Sequence, residues 1–209
     1  MGRILLVRHA QSVWNASGRW QGWSDAPLSE LGVAQAERAG RVLGQHGFVP
    51  RSVVCSDLAR ARQTAELLAR RCSYRGALSL DPALREQGLG SWEGLTNEQI
   101  SERWPGLLEA RNAGLQAAIP GGELGDAFSA RVLEALQRIW GLSRSGEVLV
   151  VTHGGVVTVL ERALGVWGPQ RRHPNLAGWW LEAADDAGDT ALKPVEPIEL
   201  LTSATPGAA

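Results

Sequence analysis

Two runs of the chain, Ile4-Leu5-Leu6-Val7 and Val148-Leu149-Val150-Val151, are apolar at every position. A strand of that kind has no face to give to water, so it reads as central in a sheet covered by helices on both sides. Arg51-Ser52-Val53-Val54-Cys55 reads as a third. Between these runs lie amphipathic segments of helical length. One opens at Ser29 with Gly32-Val33, runs through Val42-Leu43 and closes at Gly44 and Gly47. Asp57 precedes a second, Leu58 to Arg71, with Leu58, Ala61, Ala65 and Leu68 on one stripe. Asp126 to Leu142 makes a third, its Phe128, Val132, Leu136 and Ile139 spaced for a buried face, and Gly155 to Leu164 makes a fourth. Strand and helix in alternation predict a three-layer α/β/α sandwich with a mainly parallel central sheet.

The chain of 209 residues fits one domain over 1–201. Residues 88–122, rich in Gly, Trp, Glu and Pro, read as a lid-like excursion with one short helix near Asn97 to Arg103. Residues 175–182 and 190–200 resemble late strands, separated by an acidic turn at Asp185-Asp186-Ala187-Gly188-Asp189, and the small, polar tail 202–209 is expected to be disordered. The apolar run at the N-terminus is too short for a signal-peptide core, and Leu6 breaks the myristoylation pattern. No stretch approaches a membrane span. Cys55 and Cys72 form neither a CxxC motif nor a disulfide framework, and Cys55 at the end of a buried strand is expected to be inert. These features point to the cytoplasm.

Charge narrows the functions further. The net charge of -1 gives no field to hold a nucleic acid. Positive charge rests on 20 arginines and the single Lys193, and no GxxxxGK[ST] motif is present. Arginine suits bidentate recognition of carboxylate or phosphate. The four histidines include no pair at i, i+4 spacing and no HExxH, so no metal is expected. GxSxG is absent, which argues against a serine hydrolase.

The chemistry gathers at strand ends. Val7-Arg8-His9-Ala10 closes the first strand, and Val151-Thr152-His153-Gly154-Gly155 closes another and opens a helix. The carboxyl ends of strands are where α/β sheets place ligands, and a helix N-terminus favours an anion. Cys55-Ser56 leads similarly into Leu58-Ala59-Arg60-Ala61-Arg62. Taken singly, a histidine after a strand is more often structural, and arginines on a helix usually face solvent. If the three strands are neighbours, two histidines and at least two arginines converge on one spot. Such a cluster calls for an anion, and phosphate is the natural occupant.

The sequence resembles the histidine phosphatase superfamily, which includes the cofactor-dependent phosphoglycerate mutases. The resemblance covers roughly residues 3 to 182. It is carried by Leu6-Val7-Arg8-His9-Ala10-Gln11-Ser12 with Trp14-Asn15, Gly22-Trp23-Ser24-Asp25 and Leu28-Ser29-Glu30-Leu31-Gly32. It continues through Ser56-Asp57-Leu58-Ala59-Arg60-Ala61-Arg62-Gln63-Thr64-Ala65, Leu84-Arg85-Glu86, Gly90-Ser91-Trp92-Glu93-Gly94, Gly121-Gly122-Glu123 and Thr152-His153-Gly154-Gly155. The resemblance implies a phosphoglycerate mutase-like fold and gives each matching position a role. His9 would be the nucleophile that forms a phosphohistidine; Arg8, Arg60 and His153 would hold the phosphoryl oxygens; Asn15 and the Gly154 N–H would complete the cradle. Glu86 would be the proton donor to the leaving alcohol. Gln11, Ser12 and Ser56 read as support for the strand ends, Arg62 as pointing to solvent, and Trp92 as packing under the lid. Trp20 and Trp23 read as core packing that could instead form a pocket wall, and Asn175 as a candidate for the pocket's edge.

Mutases of the family carry, after the acid-donor motif, an inserted segment with a tyrosine and a paired arginine. Here Glu86 is followed by Gln87-Gly88-Leu89-Gly90 without a tyrosine, and Arg111 stands alone between Trp104 and Pro120. Hydrolysis of a small phosphomonoester therefore reads better than mutase activity. A non-catalytic phospho-ligand module is a third reading, but a binder needs neither His9 nor Glu86. The resemblance implies no cofactor, no metal, a small-molecule phosphomonoester substrate rather than a nucleic acid or membrane, and homodimers as a common assembly.

Overall fold

The structure, a computed structural model, describes residues 2–113, 118–168, 173–183 and 192–201. The elements run β1 (Ile4–Arg8), α1 (Val13–Ala16), α2 (Glu30–Gln45), β2 (Ser52–Cys55), α3 (Ala59–Arg71), β3 (Ser79–Leu80), α4 (Asn97–Arg103), α5 (Leu107–Asn112), α6 (Gly125–Ser143), β4 (Val148–Thr152), α7 (Gly154–Ala163), β5 (Ala177–Ala183) and β6 (Leu192–Glu199). The strands form one sheet in the order β3-β2-β4-β1-β5-β6. The first four are mutually parallel, and β5 and β6 add an antiparallel edge. The sheet is thus mostly parallel, in a mixed α/β fold.

Strands apolar at every position bury both faces. Leu5, Val7, Val53, Cys55, Leu149 and Val151 point into one core with Ala36, Ala39 and Leu43 of α2 and Ala61, Ala65 and Leu68 of α3. Ile4, Leu6, Val54, Val148 and Val150 point into the other with Phe128, Val132, Leu136 and Ile139 of α6 and Val156, Val157 and Leu160 of α7. Each fully buried Leu or Val contributes about 1.5–3 kcal/mol of transfer free energy, so a polar side chain at either face of β1 or β4 would be strongly destabilising. Cys55 and Cys72 are buried and free, and burial pushes both thiols up to about 12. Neither is a thiolate at neutral pH.

The excursion carries a small core of its own: Leu89, Trp92, Ile100, Leu108 and Ile119, with Trp20 and Trp104 packed on it. It holds a second helix, α5, that hydrophobic periodicity does not reveal. Pro105 and Gly106 break the pattern in front of it, and Gly106 opens the helix from a left-handed conformation, φ 81°. The one-turn α1, capped by Ser12 with Asn15 closing the capping box, is likewise too short for a periodic signal. The acidic turn at 185–189, the tail 202–209 and residues 114–117 of the excursion lie outside the described residues. Among the described residues no helix is long and apolar enough to cross a membrane.

Candidate active site

Register alone brings the strand ends together. Arg8 of β1 pairs with Thr152 of β4, and Cys55 of β2 with Val151. The next residue in each strand, His9, His153 and Ser56, therefore emerges at one edge of the sheet. The His9 and His153 rings meet edge to face, their centroids 5.2 Å apart. Arg60, in the first turn of α3, is almost wholly buried beneath them. A cavity of about 400 Å³ opens here, lined among others by Arg8, His9, Asn15, Arg60, Glu86 and Gly155.

Each charged group is tied to the scaffold on one side and left unsatisfied on the other. Arg60 Nη1 and Nη2 donate to the carbonyls of Ser24 and Gly22, each at 2.8 Å. Arg8 Nη1 donates to the His173 carbonyl at 2.5 Å. Arg8 Nε, Arg60 Nε and both ring nitrogens of His153 are buried with no hydrogen-bond partner among the described residues. Buried donors without acceptors cost free energy unless an acceptor arrives, so this group is complementary to an oxyanion. Burial lowers the pKa of Arg8 and brings that of Arg60 to about 10, which leaves Arg60 protonated at neutral pH.

His9 Nδ1 lies 2.6 Å from the Ala10 carbonyl. A carbonyl only accepts, so Nδ1 carries the proton and Nε2 keeps its lone pair. Burial, then the charges of Arg60 and Arg8, hold His9 well below the usual histidine range; burial, then Arg60, His9, Arg8 and Arg131, do so for His153. Both imidazoles are neutral at pH 7. In the unfolded chain they would take up protons below about pH 6.5. Because the folded values are depressed, their contribution to stability is full above about pH 6.5 and is lost as pH falls toward the folded values. Thermal melts recorded from about pH 7.5 down to pH 5 are expected to show a falling Tm, and a His153→Asn variant a shallower fall.

Glu86 lies on an irregular segment after the 3-10 turn at Pro82–Leu84. Thr152 Oγ1 fixes the start of that segment through the Leu84 carbonyl, 2.9 Å away. The carboxylate accepts the Gln87 N–H at 2.8 Å and the Gly155 N–H at 3.0 Å. Glycine at 155 permits this approach: a Cβ there would stand 2.0 Å from Glu86 Oε1 and displace the carboxylate.

Arg8, His9, Asn15, Arg60 and Glu86 all line the cavity; His153 is fully buried and does not line it, but its ring meets that of His9 edge to face. Gly154 does not line it: its neighbour Gly155 does, and Gly154 faces the Arg8 side chain. Trp20 lines the cavity. Trp23 instead donates from Nε1 to the Glu86 carbonyl at 2.8 Å. Asn175 Nδ2 donates to the His9 carbonyl at 2.9 Å and to Asn15 Oδ1 at 3.3 Å, bracing the site from behind. Arg62 is exposed beside Glu66, and Trp92 is fully buried. Sequence reasoning did not place Gln21, Arg19 and Arg111 in the cavity wall. Arg111 reaches it from α5 and hydrogen-bonds Gln87 Oε1 at 2.8 Å. Among the described residues no group of three or more His, Cys, Asp or Glu is placed to hold a metal ion.

Known proteins resemble this chain over most of its length. A family model described as the histidine phosphatase superfamily (branch 1) matches residues 4–187. A metal-independent phosphoserine phosphatase of Arabidopsis thaliana is 37% identical over 159 residues, 75% of this chain and 66% of that protein. A protein named probable phosphoglycerate mutase GpmB, from Erwinia tasmaniensis, is 34% identical over 217 residues, 92% of this chain and 98% of that one. The structure of a mycobacterial glucosyl-3-phosphoglycerate phosphatase with inorganic phosphate superposes with a TM-score of 0.80 at 30% identity, covering 97% of this chain and 100% of that one.

Proposed function

The chain belongs to the histidine phosphatase superfamily, and on that premise we propose that it hydrolyses a small phosphomonoester through a phosphoryl group carried transiently on His9. The observation that carries this reading is the state of His9: buried, neutral, its Nδ1 proton held by the Ala10 carbonyl, its Nε2 lone pair left for phosphorus. In the first step Nε2 attacks phosphorus and the bond to the ester oxygen breaks. Glu86, as the acid, gives its proton to that oxygen. Arg8, Arg60 and His153 donate to the phosphoryl oxygens, and Asn15 completes the cradle. Each buried donor aimed at developing charge is worth about 10²–10³-fold in rate. In the second step water attacks phosphorus and passes a proton to the Glu86 carboxylate. The P–N bond then breaks, inorganic phosphate leaves and Glu86 is again the acid.

The named relatives favour a phosphatase over a mutase, and phosphoserine and glucosyl-3-phosphoglycerate both carry a carboxylate near the phosphoester. Arg111 and Arg19 give the outer cavity a positive wall that suits such a leaving group. Two free, buried cysteines fit a reducing cytoplasm.

Phosphate release from p-nitrophenyl phosphate, phosphoserine, 3-phosphoglycerate, phosphosugars and nucleotides tests this reading, with EDTA present throughout. Turnover is expected to persist in EDTA, with carboxylate-bearing esters preferred. Loss of turnover in EDTA would contradict the cradle of arginines and histidines. Conversion of 3-phosphoglycerate to 2-phosphoglycerate in the presence of a bisphosphate primer, with no hydrolysis, would make the protein a mutase.

A further inference from the structure

Residues 85–89, which carry Glu86, belong to no helix or strand, so something other than backbone ladders must fix the carboxyl in place. One side chain does most of this. Arg131 of α6 donates from Nη1 to the carbonyls of Ala83 and Arg85, at 2.8 and 2.9 Å, and from Nη2 to the carbonyl of Glu86 at 2.9 Å. Its two remaining N–H groups pair with Glu123, Nε to Oε1 at 2.6 Å and Nη2 to Oε2 at 2.8 Å. All five donors of the guanidinium are thereby used. A lysine has three donors and no planar fork, so it could not reproduce the set.

Glu123 closes the arrangement from the other side of Glu86. Its Oε2 accepts the Gly88 N–H at 3.2 Å, its own N–H donates to the Gly88 carbonyl at 2.8 Å, and its carbonyl accepts Gln87 Nε2 at 2.8 Å. The pair is largely shielded, with side chains 21% and 12% exposed, and the Arg131 guanidinium lies over the Phe128 ring at 4.9 Å. Neither residue lines the cavity. Glu123 belongs to the Gly121-Gly122-Glu123 motif, to which the chemistry so far gives no task.

We propose that the Arg131–Glu123 pair is the positioning device for Glu86. It fixes the carboxyl against the leaving oxygen and so acts on protonation of the leaving group, not on the nucleophile or the phosphate cradle. The proposal rests on the reading of Glu86 as the acid.

Leaving-group dependence separates this role from simple stabilisation. An alkoxide must be protonated as it departs, whereas p-nitrophenolate leaves with little help. The quantity to compare is kcat/KM, because it reports the step that phosphorylates His9 whatever the rate of dephosphorylation. In Arg131→Lys and in Glu123→Gln, kcat/KM for an alkyl phosphomonoester is expected to fall about 10²-fold and that for p-nitrophenyl phosphate less than about fivefold, within the usual range for a general acid. Inhibition by inorganic phosphate should be unchanged. Combined with Glu86→Gln, either substitution should add almost nothing on the alkyl ester, because the acid it positions is already gone. Equal losses on both esters, no loss on either, or a fully additive double variant would overturn the proposal. Should Arg131→Lys fail to fold, Glu123→Gln, which keeps the shape of the side chain, carries the same test. A Glu86→Gln enzyme indifferent to the leaving group would remove the acid assignment itself, a result obtained without touching Arg131 or Glu123.

Discussion

Replacing His9 by alanine is expected to lower phosphate release by at least about 10⁴-fold while leaving phosphate binding in place. The two effects separate because the cradle does not depend on the His9 ring. Arg8 hangs on the His173 carbonyl, Arg60 on the carbonyls of Ser24 and Gly22, and His153 on the start of α7. The substitution also removes a buried imidazole that burial, helped by the arginine charges, holds in its neutral form, so the folded state loses packing but no ion pair. Calorimetric titration with inorganic phosphate should therefore still give a binding isotherm, alongside a flat line in the turnover assay. Substantial turnover by His9→Ala would place the nucleophile elsewhere.

The second large effect belongs to Glu86. Glutamine in its place keeps the size of the side chain and one carbonyl oxygen for the N–H groups of Gln87 and Gly155, but it has no acidic proton to give. For alkyl phosphomonoesters kcat/KM is expected to fall about 10²–10⁴-fold. For p-nitrophenyl phosphate the fall in kcat/KM should be far smaller, since that leaving group needs no proton. The slope of log kcat/KM against leaving-group pKa, measured over a series of aryl and alkyl esters, reads this directly. A uniform loss across the series would mean that Glu86 supports the cradle instead.

The central sheet was legible because its strands break the alternation that a solvent face imposes. Ile4–Val7 and Val148–Val151 are apolar throughout, and that pattern has one physical home, between two layers of helices. The same strands carried the candidate site. Once β1, β4 and β2 are parallel neighbours in register, Arg8-His9, His153 and the Ser56–Arg60 junction must share an edge. Arg60 and Arg62 separate for the same kind of reason: two residues along a helix the side chain has swung about half a turn, to the opposite face, so one is buried and the other exposed. The parts that stayed hidden are those that depend on tertiary closure. Arg111 reaches the cavity from a helix concealed behind Pro105-Gly106, and Arg131 reaches the Glu86 segment from the middle of α6, where a charged residue reads as a solvated face. Which of two adjacent glycines lines the cavity is set by where α7 starts, at Gly154. The glycine one step further on meets Glu86.

Rapid quenching of the enzyme with a phosphorus-labelled substrate, followed by peptide mapping, tests for the phosphohistidine on His9. Phosphorus bonded to an imidazole nitrogen is stable in alkali and lost in acid, unlike a phosphoserine or an acyl phosphate. An acid-labile, alkali-stable label is expected on the peptide containing His9, formed before free phosphate appears and absent from His9→Ala. Phosphate released at the full rate with no label on His9, or a label on another residue, would contradict it.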